Sequence, residues 1–154
     1  MLALDTNTIS CFFRGDAQVT TRIAALSPSD LAVPAVVVYE LRFGLARMPA
    51  AGREPRLKAL EAFLRPLAVL PFDEAAAAIA ARLRAALEAK GAPIGPHDTL
   101  IAATALAHGA TLVTRNAGEF GRVEGLLVEN WHADAAATQP VLPARKKRAA
   151  PKGA

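Results

Sequence analysis

With 154 residues the chain is long enough for one domain with a substantial core and short for two, and 53% hydrophobic against 21% charged residues excludes a wholly disordered protein. Only 5% of residues are aromatic, so Ala, Val, Leu and Ile must fill the interior. Cys11 is the sole cysteine, which excludes an intramolecular disulfide and a cysteine-rich metal site; structural zinc is not expected, and a cytoplasmic location is.

The net charge of +4 is unevenly placed. Residues 1–132 carry 13 basic and 13 acidic side chains, whereas residues 133–154 carry five basic residues and one acid. The basic character therefore belongs to the tail and says little about what the body binds. The longest stretch without a charge runs from Thr99 to Thr114, 16 residues that include His108 and Gly109, too short to span a membrane. The opening MLALD has no basic segment and reaches an acid at residue 5, unlike a secretion signal.

Apolar runs at 2–4, 31–33, 67–70, 111–113 and 126–128, each followed by a polar or turn residue, predict five buried strands. A short helix is expected at about 17–26. Over 35–48, Val37, Leu41, Gly44, Leu45 and Met48 recur at helical spacing, but the Val36-Val37-Val38 run also suits a strand, and both readings stay open. Another short helix is expected at 54–65. The clearest runs from Asp73 to Lys90, with Ala76, Ile79, Ala80, Leu83 and Leu87 on one face, Asp73 as N-cap and Gly91 as stop. A further helix opens near Asp98 after Gly95-Pro96 and ends near His108-Gly109. From residue 133 periodicity stops and prolines precede the charge run, so the expected organisation is a folded domain over 1–132 and a disordered basic tail over 133–154. Strands alternating with helices predict an α/β fold with a mostly parallel sheet covered on both faces.

In such a sheet ligands gather beyond the carboxyl ends of the strands. There the sequence places Asp5-Thr6-Asn7 after the first run, Glu40 in the segment after the second, and Thr114-Arg115-Asn116 after the fourth. Asp98 joins them because Ile101, Ala102 and Ala105, three, four and seven residues on, define the inward stripe of its helix. Each residue also has an ordinary structural use: Asp5 in an Asx-turn, Asp98 as an N-cap, Glu40 as a helix-edge charge, Asn116 in a turn. Together, converging carboxylates repel one another unless a cation is bound. A hard divalent ion, Mg²⁺ or Mn²⁺, takes oxygen ligands and links carboxylates to phosphate, and the reaction class that follows is phosphodiester hydrolysis.

The segments LDTN at 4–7, YELRFGL at 39–45, LPFDEAAA at 70–77, PIGPHDTLIAATAL at 93–106, TLVTRNAGEF at 111–120 and VENW at 128–131 resemble the PIN-domain ribonuclease family, most closely its VapC-type toxins. The resemblance covers roughly residues 1–131 and implies an α/β/α sandwich that works as a metal-dependent endoribonuclease. It also implies an RNA substrate, a cognate VapB-like antitoxin and a homodimer. Position by position it puts the metal-binding acids on Asp5, Glu40 and Asp98 and the fourth catalytic position on Asn116. Many members carry aspartate there, so the expected site charge falls to −3 and a second tightly held metal becomes less certain. Glu119 stands near enough in sequence to assist or to be a surface residue. Thr6, Asn7 and Thr114 are candidates for orienting the carboxylates, and Arg115 for holding a phosphate. His97 is expected in a loop rather than as a general base.

Two other readings stay open. A phosphatase with Asp5 as nucleophile would form an aspartyl-phosphate, but Asn7 stands where a second aspartate is usual in such enzymes. A catalytically silent protein would keep the fold and bind a partner without metal.

Overall fold

The computed structural model describes residues 1–132, so the predicted tail lies outside the described residues. The chain begins with strand β1, Leu2–Leu4, followed by helices α1, Thr6–Phe13, and α2, Ala17–Ala24, and a single 3₁₀ turn at Pro28–Asp30. Strand β2, Leu31–Pro34, leads into α3, Ala35–Ala46, and α4, Ala50–Leu64. Strand β3, Ala68–Leu70, is followed by α5, Glu74–Ala89, and α6, Pro96–Ala107; β4, Thr111–Val113, the short α7, Ala117–Phe120, and β5, Val128–Glu129, complete the order.

All five strands pair in parallel in the order β3-β2-β1-β4-β5. Neighbouring residues of a strand point to opposite faces. Because Ala3 and Leu4, all of β2, and both Leu112 and Val113 are buried, both faces of the central strands must be covered. This is the predicted sandwich. At one edge Ala68 and Val69 of β3 are exposed, and β5 at the other is half-buried. Ile9, Val19, Val37, Ile101 and Phe120 seal the core from the helices, and Trp131 closes it after β5 with its indole N–H donating to Glu129 at 3.0 Å.

Asp73 caps α5 by accepting the Ala76 amide at 2.9 Å. Gly91, at φ +64°, ends it, with the Ala92 amide bonded to the Leu87 carbonyl at 2.9 Å and the Gly91 amide to that of Glu88 at 3.0 Å. The segment after β2 is helical, so the Val36–Val38 run does not form a strand: Val37 is fully buried on a helix face instead. Four expectations shift. Residues 6–13 form a helix that the sequence did not announce, because Thr, Ile, Cys and Phe are weak helix formers and tertiary burial of Thr8, Ile9 and Cys11 overrides propensity. Helix α4 starts at Ala50 rather than 54, with Pro55 in its second turn. The last strand sits at Val128–Glu129, not 126–128. Helix α6 opens at Pro96, which makes Asp98 its third residue and not its N-cap; Gly95 occupies that position.

Candidate active site

Going outward from the sheet centre, the chain runs β1, β2, β3 to one side and β4, β5 to the other, so the strand order reverses between β1 and β4. A crevice forms at such a reversal, at the carboxyl ends of the strands. Asp5 stands there. Its amide continues the ladder by donating to the Val113 carbonyl at 3.1 Å, and its carboxylate caps α1 by accepting the Thr8 amide at 2.7 Å. Asp5 thus does the ordinary capping work open to it from the sequence. Asp5 is only 3% exposed. Burial pushes its carboxyl up from the usual aspartate value, and hydrogen bonds from the fully buried Thr114 hydroxyl and from Thr8 hold it partly back. The Thr114 oxygen also accepts the Asn116 amide at 2.9 Å, so one hydroxyl ties together the loops after β1 and β4.

Asp5, Glu40, Asp98 and Asn116 all line one pocket of about 200 Å³, together with Thr6, Asn7, Ile101 and Phe120. The four residues singled out in the sequence, separated by up to 111 positions, are therefore brought together. Helix α3 delivers Glu40, whose two oxygens are both engaged: the Thr6 hydroxyl donates to Oε2, and Nδ1 of His97 lies 2.9 Å from Oε1. His97 is thus not in a loop; it belongs to the first turn of α6 and orients Glu40. Asp98 follows it. An added Cβ on Gly95 would lie 3.1 Å from Asp98 Oδ2, so the glycine leaves room for this carboxylate.

Asp98 is the most perturbed group of the site. Its pKa is pushed up to about 6, first by burial, then by the adjoining Glu119 carboxyl, and further by the charges of Glu40 and Asp5. Glu119, the third residue of α7, is therefore the fourth acid at this edge, where the sequence alone left it undecided between assistant and surface residue. Its signal was its place in the first turn of a helix starting just past β4. Asn116 lines the pocket without capping α7 through its side chain. Arg115 is exposed and does not line the pocket.

Among the described residues no lysine or arginine lines this pocket, so no basic side chain there offsets the charge of its carboxylates. The N-terminal ends of α1 and α6 open at the site, and their backbone dipoles offset part of the repulsion. The donor set consists of carboxylate, amide and hydroxyl oxygens, which fits a hard divalent cation. The carboxylates spread around the pocket instead of closing to within single-ion distance as a triad. That spacing fits an ion that reaches some carboxylates through retained water, as Mg²⁺ does.

This fold and this acidic crevice define a PIN domain, whose family model matches residues 2–126. The chain belongs to that family, and its relatives include VapC ribonucleases. It is 34% identical over 128 residues to the tRNA(fMet)-specific endonuclease VapC of Salmonella typhimurium, covering 83% of this chain and 96% of that one. It is 39% identical over 137 residues to the VapC ribonuclease Y4jK of Sinorhizobium fredii, covering 85% and 98%. Among solved structures, FitAcB from Neisseria gonorrhoeae superposes with a TM-score of 0.78 at 34% identity, over 86% of this chain and all of the matched one.

Proposed function

We propose that this protein is a Mg²⁺- or Mn²⁺-dependent endoribonuclease of the toxin–antitoxin type, which hydrolyses RNA phosphodiester bonds and is restrained by a VapB-like antitoxin. The observation that carries the reading is the convergence of Asp5, Glu40, Asp98 and Asn116 on one pocket without a basic residue, in a chain whose relatives are VapC ribonucleases. Asp5, Glu40 and Asp98 would hold the ion, and Asn116 would offer a carbonyl oxygen without adding charge. When bound, the ion supplies Lewis acidity to the phosphoryl oxygen and lowers the pKa of attacking water.

The protein's own part is placement. Thr8 and Thr114 fix Asp5; Thr6 and His97 fix the two oxygens of Glu40. Such supporting hydrogen bonds fix the orientation of the carboxylates around the pocket. Burial, and next Glu119, make Asp98 hold its proton more tightly, so a cation would bind best above about pH 6. Asp5 points into a crowd of acids with no cationic partner for a covalent phosphoryl group, which disfavours the phosphatase reading.

An apolar groove of about 780 Å³ adjoins the pocket, lined by Leu41, Leu45, Met48 and Leu60 among others and sharing Thr6 and Glu40 with it. We assign it to the antitoxin: an apolar segment lying there would block the acidic crevice. Tyr39 and Phe43, 53% and 52% exposed and stacked 6.1 Å apart on α3, offer a surface of the kind a second subunit covers, in keeping with a homodimer. Among the described residues no helix is long and apolar enough to cross a membrane. On this reading the protein acts in the cytoplasm, where Cys11 stays reduced. The basic residues Arg145, Lys146, Lys147, Arg148 and Lys152 would add nonspecific phosphate contacts beyond a charge-balanced domain over 1–132.

The deciding experiment incubates the purified protein with total RNA, with and without Mn²⁺ and with chelator, and maps new RNA ends. Metal-dependent ends absent from Asp5→Asn and Asp98→Asn support the reading. Full activity in both variants overturns the site assignment, and no cleavage without measurable Mn²⁺ binding returns the silent-scaffold reading.

A further inference from the structure

At the corner between α1 and α2, three side chains of different chemistry meet; none lines the acidic crevice, although His132 lies near enough to act electrostatically on Asp5. Helix α1 ends in a double closure: the Gly15 amide bonds to the Phe12 carbonyl at 3.0 Å and the Asp16 amide to the Cys11 carbonyl at 3.0 Å. This termination needs a left-handed residue, and Gly15 supplies it at φ +79°. The turn sets Asp16 beside Cys11 by backbone hydrogen bonds alone, before any side chain is considered. Asp16 then divides its carboxylate. Oδ1 caps α2 by accepting the Gln18 amide at 3.0 Å and the Val19 amide at 3.1 Å, while Oδ2 faces Nδ1 of His132 at 3.7 Å.

His132 arrives from the far end of the domain, just after the buried Trp131. Its side chain is only 7% exposed. The Nδ1 distance to Asp16 exceeds a hydrogen bond, and among the described residues the buried Nε2 has no partner at all. A shielded imidazole whose Nε2 has no partner and whose Nδ1 has only a long contact with the Asp16 carboxylate is short of hydrogen bonds. The third member, Cys11, is buried as a free thiol, and its sulfur accepts an N–H from the exposed Arg14 guanidinium at 3.0 Å.

One sulfur, one carboxylate oxygen and one imidazole nitrogen of these residues lie within 4.8 Å of one another, and no other such trio is found among the described residues. Ligand atoms around a single tetrahedral ion stand about 3.5 Å apart, given metal–ligand bonds of roughly 2.0 to 2.3 Å. Asp16, 36% exposed on its side chain, has the freedom to close the difference. We propose that Cys11, Asp16 and His132 form a second metal site, for a borderline-soft divalent ion of the Zn²⁺ class, that clasps the end of the domain to the α1–α2 corner. A thiolate and an imidazole select such an ion over Mg²⁺ or Mn²⁺, whose preference for oxygen directs them to the acidic crevice. Binding expels the Cys11 proton to solvent, forms the metal–sulfur bond and leaves the fourth position to water. Thiolate and carboxylate neutralise the dication, and Arg14 remains as an N–H donor to the sulfur.

Cobalt(II) tests this on the full chain, because a cobalt–thiolate bond gives a charge-transfer band that an all-oxygen site cannot give. The expected result is a band that saturates at one equivalent of Co²⁺, is retained in Asp98→Asn, and is lost in Cys11→Ser and His132→Ala. Asp16→Asn keeps the cap of α2, since asparagine caps as well as aspartate, and should weaken Co²⁺ binding by about 10-fold or more. Zn²⁺ should raise the Tm of the wild type and not of Cys11→Ser. Absence of the band from the wild type at stoichiometric Co²⁺ overturns the proposal without any variant. So does an equal Zn²⁺ shift in the wild type and a folded Cys11→Ser protein.

Discussion

Two hollows lie back to back across Thr6 and Glu40, and they are built on opposite principles. The acidic crevice is small, about 200 Å³; burial pushes the Asp5 and Asp98 carboxyls up, and neighbouring acids add to the rise at Asp98. The neighbouring groove is larger, about 780 Å³, and lined mainly by apolar residues from α3 and α4. The first is under electrostatic stress that a bound cation would relieve; the second exposes apolar surface that a partner's apolar side chains would cover. Glu40 and Thr6 belong to both walls, so the two hollows meet at these two side chains.

The sharpest break in that comparison comes from the carboxylates. Asp5→Asn and Asp98→Asn should each lower metal-dependent RNA cleavage by more than ~100-fold, beyond what loss of a supporting partner costs a metal site, measured as initial rates at saturating Mn²⁺. Thermal unfolding should meanwhile separate charge from fold. In the folded state Asp98 titrates at about 6, above its ordinary value of 3.8, so the native protein holds a proton that the unfolded chain releases. Its contribution to stability is present below about pH 4 and is lost as pH rises through about 6. Metal-free Asp98→Asn should therefore melt higher than the wild type at pH 8 and no higher at pH 4, and Mn²⁺ should raise the wild-type Tm above pH 6 only. A wild-type Tm that climbs between pH 4 and 7 relative to the variant would contradict the crowding.

On the apolar side, Leu45→Asp places a charge in the groove wall without touching the crevice. Inhibition by the antitoxin, followed as RNA cleavage against added antitoxin, should weaken by 10-fold or more, about the loss of one buried apolar anchor, while the free enzyme keeps its rate. Loss of both activities together would mean that the two hollows are not separable. A smaller effect is expected where the walls meet: His97→Ala frees one oxygen of Glu40 and should cost roughly 10-fold in rate, with weaker Mn²⁺ binding in titration. The smallest is expected far from both. Arg84→Ala breaks only the exposed i,i+4 pair with Glu88 and should leave the Tm and cleavage unchanged.

Much of this arrangement was legible in the sequence. Four of the five apolar runs are strands within a residue of the predicted bounds; for the central β1, β2 and β4 the reason is that strands covered on both faces read as short unbroken apolar runs, whereas β3 keeps its run at an edge with Ala68 and Val69 exposed. Asp5, Glu40 and Asn116 converge because they follow parallel strands that all end on the same edge, and Asp98 joins them from the first turn of α6. What could not be read were the partners. His97 looked like a loop residue because its helix starts two residues before Asp98, and Glu119 looked optional because nothing local says that α7 turns its third residue back on α6. Helix α1 was hidden by residues with poor helical propensity, which accept the conformation only because Thr8, Ile9 and Cys11 are buried.

By itself the sequence determined the α/β class, the approximate strands, the acids and amide that follow them, and the separation of a charge-balanced body from a basic tail. These properties are local: periodicity, end signals and charge are written in neighbouring residues. Only the tertiary structure decided that β1 lies between β2 and β4, that Thr6 and His97 clamp Glu40, that Glu119 presses on Asp98, and that Cys11 and Asp16 meet His132 from the other end of the domain. Each of those pairings joins residues distant in the chain. Their proximity follows from how the layers pack, and no pattern of neighbouring residues encodes it.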